Sequence, residues 1–146
     1  MTSAARERVL ALYVDAGEAR PHTALLVDVD RDLYAALVAA GAEVAVRHPE
    51  VSGRPYGPED MWFGTMPEVY RLVALERRAP EGDLFRVLSI LSRLVAPGGV
   101  LVIACPTNAE LDHVYQRATE VLLSVSPDFS RVLHRLSNVI ELRRAA

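Results

Sequence analysis

The sequence predicts an α/β domain built around a mostly parallel sheet, and three observations predict it. The runs Thr23–Val29 and Val100–Cys105 are almost wholly apolar without alternation, the pattern of strands covered on both faces. Stretches of helical period separate the strand-like runs, the order expected of a doubly wound sheet. Near its end the chain carries two short strand-like runs close together, which predicts an antiparallel hairpin.

The elements follow in order. Residues Ala4–Ala16 read as an amphipathic helix with Val9, Leu10, Leu12 and Tyr13 on one side, Ser3 as N-cap and Gly17 just beyond. Pro21 resets the chain before the first strand, which is expected near the sheet centre. Asp30 can cap a second helix, with Leu33, Tyr34, Leu37 and Val38 inward and Gly41 as the left-handed exit. A strand over Glu43–Arg47 completes a strand–helix–strand unit, for which a right-handed crossover is expected. Pro49–Pro67 is broken by Gly53, Pro55, Gly57 and Pro58 and reads as a long loop with a short turn near Pro58–Phe63; Trp62 and Phe63 are assigned to packing. Tyr70–Leu75 is the next strand. Asp83 caps a helix through Val95, with Leu84, Val87, Leu88, Leu91, Leu94 and Val95 as its stripe and Pro97-Gly98-Gly99 as its end. Pro106 stops the strand that follows. Thr107-Asn108-Ala109-Glu110 has capping-box spacing and opens a helix to about Ser126, closed by Pro127. The hairpin strands lie around Arg131–Arg135 and Val139–Leu142.

A length of 146 residues sets the expectation of one domain over 1–146. The apolar runs are too short to span a bilayer, and the first residues lack a secretory pattern, so a cytoplasmic protein is expected. A net charge of −3 provides no global attraction to nucleic acid or acidic membranes. All 16 basic residues are arginine, a composition that high-GC coding explains; without lysine there is no Schiff-base residue and no Walker-type phosphate loop. Cys105 is the single cysteine, so an internal disulfide is excluded. His22, His48, His113 and His134 have no metal spacing, and no zinc site is expected.

The second half narrows the fold further. The segment Tyr70-Arg71-Leu72-Val73-Ala74-Leu75-Glu76, a helix, and then Leu94-Val95-Ala96-Pro97-Gly98-Gly99-Val100-Leu101-Val102-Ile103 resembles class I S-adenosylmethionine-dependent methyltransferases. There a strand with an acidic or polar end leads through a helix to a Leu-x-Pro-Gly-Gly-x-Leu-x-Ile turn and strand. The resemblance covers residues 23–143 and implies a Rossmann-like three-layer sandwich, with a mostly parallel sheet and a C-terminal antiparallel hairpin. The departure lies at Asp28-Val29-Asp30-Arg31-Asp32, where that family carries a glycine-rich loop so that the backbone can approach the cofactor. An alternative register takes Val9–Val14 as the first strand. It leaves about eight residues between two parallel strands, fewer than the dozen or more a crossover uses.

Ligands of open parallel sheets bind outside the carboxyl ends of the strands, and the candidate residues are taken from there. The resemblance implies cofactor contacts from Asp28 and Asp30 after the first strand and from His48 and Glu50 after the second. Asp30 as a helix cap and Asp28 paired with an arginine are the structural alternatives. Glu76, ending the third strand, is the catalytic candidate, since the family positions substrate there; Arg77 and Arg78 beside it suggest an ion-pair cluster instead. Thr107 is accounted for by its cap. The lost glycines favour a non-catalytic methyltransferase-like domain that works through protein contacts, as a homodimer or within a complex, with no cofactor. Its alternatives are a methyltransferase that uses S-adenosylmethionine through an atypical loop, and a nucleotide or anion module built on Arg31, Arg47, Arg77 or Arg78, with a small-molecule ligand in either case.

Overall fold

Apolar continuity in the sequence becomes burial in the computed structural model, which describes residues 1–17, 19, 21–27, 29, 31–47, 70–76, 84–125 and 128–146. The elements are α1 (Ser3–Asp15), β1 (Thr23–Val27), α2 (Arg31–Ala39), β2 (Glu43–Arg47), β3 (Tyr70–Glu76), α3 (Leu84–Ser92), β4 (Val95–Ala104), α4 (Asn108–Val125), β5 (Phe129–His134) and β6 (Val139–Arg144). They form a six-stranded sheet of order β2-β1-β3-β4-β6-β5. The first four strands in that order are parallel; β6 runs antiparallel to both β4 and β5. Successive residues of each central strand face opposite layers, as the pleat requires. Leu25, Val27, Val73, Leu75, Leu101 and Ile103 pack with α3 and α4, whereas Ala24, Leu26, Leu72, Ala74, Val100 and Val102 pack with α1 and α2. The result is a three-layer sandwich.

The N-terminal segment is a helix, which decides the register of the first strand in favour of Thr23–Val27. Its cap is Thr2, whose hydroxyl accepts from the Ala5 amide at 3.1 Å, so the expected cap at Ser3 moves by one residue. In α2 only Leu33 and Leu37 are buried; Tyr34 and Val38, expected inward, are exposed because a nine-residue helix on one flank presents a narrow inner face. Gly41 takes φ +92°, the expected left-handed exit. The β2 bounds agree with the sequence reading. Residues 48–69, with Trp62 and Phe63, lie outside the described residues, as do Asp83, Ser126 and Pro127.

The largest correction concerns Val95–Gly99. This segment begins β4 rather than ending α3: Val95 pairs with Tyr70, and the ladder shifts register between Tyr70 and Leu72. At that shift Gly99 lies against backbone, and a Cβ placed on it would fall 2.8 Å from both the Ala96 and Arg71 carbonyl oxygens. The glycine is thus needed for close packing of two strands.

The hairpin forms as expected, with Asn138 at φ 55° closing the turn. Its strands are tied by a side-chain hydrogen bond as well: His134 Nε2 of β5 donates to Glu141 Oε1 of β6 at 2.9 Å, and within β6 Arg143 Nε donates to Glu141 Oε2 at 3.1 Å. At the start of α4, Thr107 Oγ1 accepts from the Glu110 amide at 3.2 Å. Thr107→Ala is therefore expected to destabilise the fold by about 1 kcal/mol. An unchanged urea midpoint would show that this cap contributes nothing. Among the described residues, no helix is long and apolar enough to cross a membrane.

Candidate functional site

From β1 the chain moves outward to β2, and from β3 it moves the other way to β4, so the switch point lies between β1 and β3. Val27 is paired with Leu75, and Glu76 is the next residue of β3. Glu76 also pairs with Ala104 of β4, which places its carboxylate where three parallel strands end.

The alternation that buries Leu72 and Ala74 beneath α1 turns Glu76 to the same face. There α1 runs against the strand direction. Near its carboxyl end Tyr13 donates from its hydroxyl to the His22 carbonyl, before β1 begins, and near its amino end Met1 meets Glu76. The Met1 backbone nitrogen donates to Glu76 Oε1 at 2.9 Å, and the Glu76 side chain is 15% exposed. The amino end of α1 is thus brought to the strand ends, and its unpaired amides add positive potential beside the carboxylate.

Around this pair lies a cavity of about 320 Å³, lined by Met1, Thr2, Ala5, Glu76, Ala104, Cys105 and Pro106. Its size falls at the lower end of small-molecule sites. Among the described residues the walls are mostly small or apolar, and Glu76 is the one carboxylate in the lining. Cys105 is a buried free thiol, 7% exposed.

Of the sequence candidates, Glu76 is where the reading put it. Asp28, Asp30, His48 and Glu50 lie outside the described residues, as do Arg77 and Arg78. Three residues of the glycine-less turn are described. Val29 is 7% exposed and packs into the α1–α2 core, so its branched side chain is directed inward. Arg31 and Asp32 are exposed in the first turn of α2, and Asp32 Oδ2 lies 3.8 Å from Arg6 Nη1. Met1, Thr2 and Ala5 were missed by sequence reasoning. Seventy-odd residues separate them from Glu76, and only the direction in which α1 crosses the sheet brings them together. Thr107 caps α4, as expected. Among the described residues, no three His, Cys, Asp or Glu side chains gather as a metal site.

Comparison with known proteins places the architecture. No protein-family model matches the chain, and no curated protein matches it. Solved structures do. A release-factor-specific protein-(glutamine-N5) methyltransferase from Alicyclobacillus acidocaldarius superposes with a TM-score of 0.59 at 14% identity, over 97% of this chain and 93% of that one. An S-adenosyl-L-methionine methyl transferase from Silicibacter pomeroyi gives 0.59 at 11% identity, again over 97% and 93%. An SAM-dependent O-methyltransferase from Thermotoga maritima gives 0.60 at 10% identity, over 100% of this chain and 66% of that one. The chain therefore has the fold of class I S-adenosylmethionine-dependent methyltransferases, and it spans nearly all of the first two solved chains. At these identities the likeness concerns the fold.

Proposed function

We propose that this chain is an S-adenosylmethionine-dependent methyltransferase with an atypical cofactor loop, in which Glu76 faces the methyl acceptor. The observation that carries the reading is the cavity at the strand ends beside the switch point, with the Glu76 carboxylate in its lining. The described part of the glycine-less turn is compatible with a cofactor: Val29 packs into the core, and Asp32 is drawn toward Arg6. Both features weaken the objection that the side chains of this turn fill the crevice. Asp28 and Asp30 on one side, and His48 and Glu50 on the other, are the residues assigned to hold the cofactor. When bound, S-adenosylmethionine supplies a methyl group on a sulfonium. Glu76 orients the acceptor through a hydrogen bond to Oε1 or Oε2 and attracts positive charge to the face of the sheet under α1.

The sequence Asp28-Val29-Asp30-Arg31-Asp32, which lacks glycine, favours a second reading, a domain that has kept the fold and works through protein contacts. Of the arginines named for an anion module, Arg31 is exposed at the start of α2 and Arg47 ends β2, whereas Arg77 and Arg78 lie outside the described residues. Calorimetry with S-adenosylmethionine and S-adenosylhomocysteine separates the first two readings. Binding in the micromolar range is expected. No heat at millimolar ligand would retire the enzyme reading and direct attention to protein partners.

A further inference from the structure

Strand β5 is an outer strand of the sheet, with β6 on one side and, among the described residues, no strand on the other. The Ala145 amide donates to the Asp128 carbonyl at 3.0 Å, which fixes the phase of the ladder. Counting from there, Ser130, Val132 and His134 are hydrogen-bonded across to Arg143, Glu141 and Val139, so the amides and carbonyls of Phe129, Arg131 and Leu133 point away from β6. Among the described residues these groups have no hydrogen-bond partner. Exposed strand edges are usually blunted by proline, by a bulge or by several charges. In contrast, β5 has no proline, its pairing with β6 is unbroken, and Arg131 is its one residue among Asp, Glu, Lys and Arg. Val132 lies on the α1 side of the sheet, as do Glu141 and Val102, and is 43% exposed.

We propose that β5 pairs with β5 of a second copy of this chain, antiparallel about a two-fold axis at Val132, so that the two sheets become one. The strand itself selects the occupant and the register. With Val132 opposite Val132, Arg131 faces Leu133 of the other copy and Ser130 faces His134. The exposed Arg135 then comes level with Phe129, beside the exposed Asp128, so opposite charges approach at both ends of the shared ladder. Sliding the register by two residues places Arg131 opposite Arg131 in one direction and opposite Arg135 in the other, and like charges directly opposite are unfavourable. Because the contact is two-fold, it closes at a dimer. The edge is separated from Glu76 in β3 by β4 and β6, and the inference goes beyond the methyltransferase reading without resting on it.

The register predicts which cysteine closes across the axis. Opposed residues that share no hydrogen bonds have Cα atoms about 4.5 Å apart, within the span of a disulfide. Val132→Cys in the full chain, oxidised in air, is expected to run mainly as a disulfide-linked dimer on a non-reducing gel. Ser130→Cys is the control, because the two Ser130 residues stand four residue steps apart, about 13 Å, and it is expected to crosslink at least about ten-fold less. The native thiol, Cys105, is buried and common to both variants. Light scattering gives the second readout, at about 100 μM chain to suit a contact at the small end of protein interfaces. The mass of the unmodified chain is expected to rise towards twice the monomer value. Val132→Asp, which sets like charges on the axis, is expected to weaken association at least about ten-fold. A monomer mass for the unmodified chain at that concentration overturns the proposal without requiring any variant to fold. Equal crosslinking at 130 and 132 also overturns it and assigns any dimer to another surface. Calorimetry with S-adenosylmethionine reads neither result, so this inference and the methyltransferase reading fail separately.

Discussion

Arg71→Met is expected to lower stability by about 3 kcal/mol, the loss that follows when a buried charged donor is withdrawn from its acceptors. Arg71 is 9% exposed. Its Nε donates to the Pro21 carbonyl and its Nη2 to the Ala19 carbonyl, each at 2.9 Å, while Nη2 also lies 3.2 Å from His22 Nδ1. The guanidinium stands 5.1 Å from the Tyr13 ring centroid, so α1 and the link to β1 are held by the same group. Methionine fills most of the volume and restores none of the donors. A melting temperature lower by roughly 10 °C is expected, and the loss can be read from a urea curve of unchanged slope. Arg71→Lys tests the geometry: one ammonium cannot span both carbonyls as the fork does, so less than half of the loss should be recovered. A change below about 1 kcal/mol for Arg71→Met would show that water replaces the guanidinium and that the clamp is dispensable.

Gly99→Ala should have the next largest effect, about 2–3 kcal/mol, because the added methyl meets atoms that cannot turn away. Two of the three nearest atoms are backbone oxygens at 2.8 Å, and the third is Val95 Cγ1 at 3.1 Å. Relief would require β3 and β4 to part at the register shift between Tyr70 and Leu72. Gly98, with φ +78°, would add backbone strain if replaced, and Gly99→Ala isolates the contact. Unchanged thermal stability would mean that the strand start is soft enough to move by several tenths of an ångström.

These two positions also show what could be read from the sequence. The strands β1, β3 and the body of β4 were legible because parallel strands buried on both faces leave continuous apolar runs. The boundary at Val95 was not. Leu91, Leu94 and Val95 continue a helical stripe at the point where the chain enters a buried strand, and apolar residues serve both equally. Tyr34 and Val38 fit the helical period of Leu33 and Leu37, but period alone does not tell how wide a face the neighbouring layer covers. Arg71 stood within an apolar strand without betraying that it would be buried, since its partners are carbonyls, which every residue possesses. At the site, Glu76 was legible as the acidic end of a strand. The wall opposite was hidden because it depends on where α1 lies and which way it runs.

The strand order carries a consequence for how the chain is made. β5 leaves the ribosome before β6, yet among the described residues its strand partner in the sheet is β6, which lies between it and β4. Helix α1, synthesised before every strand of this sheet, waits longer still: Arg143 in β6 donates to the Asp15 carbonyl at 3.3 Å, a contact between residues 128 positions apart. During translation the apolar side of α1 can rest on β3 and β4, but its bed is incomplete until β6 is inserted. Completion therefore waits for α1 and β6 to meet, and such long-range closure is slow and leaves apolar surface open in the meantime. A nascent chain of this protein is expected to depend most on chaperone protection in the interval between the emergence of β5 and the docking of β6.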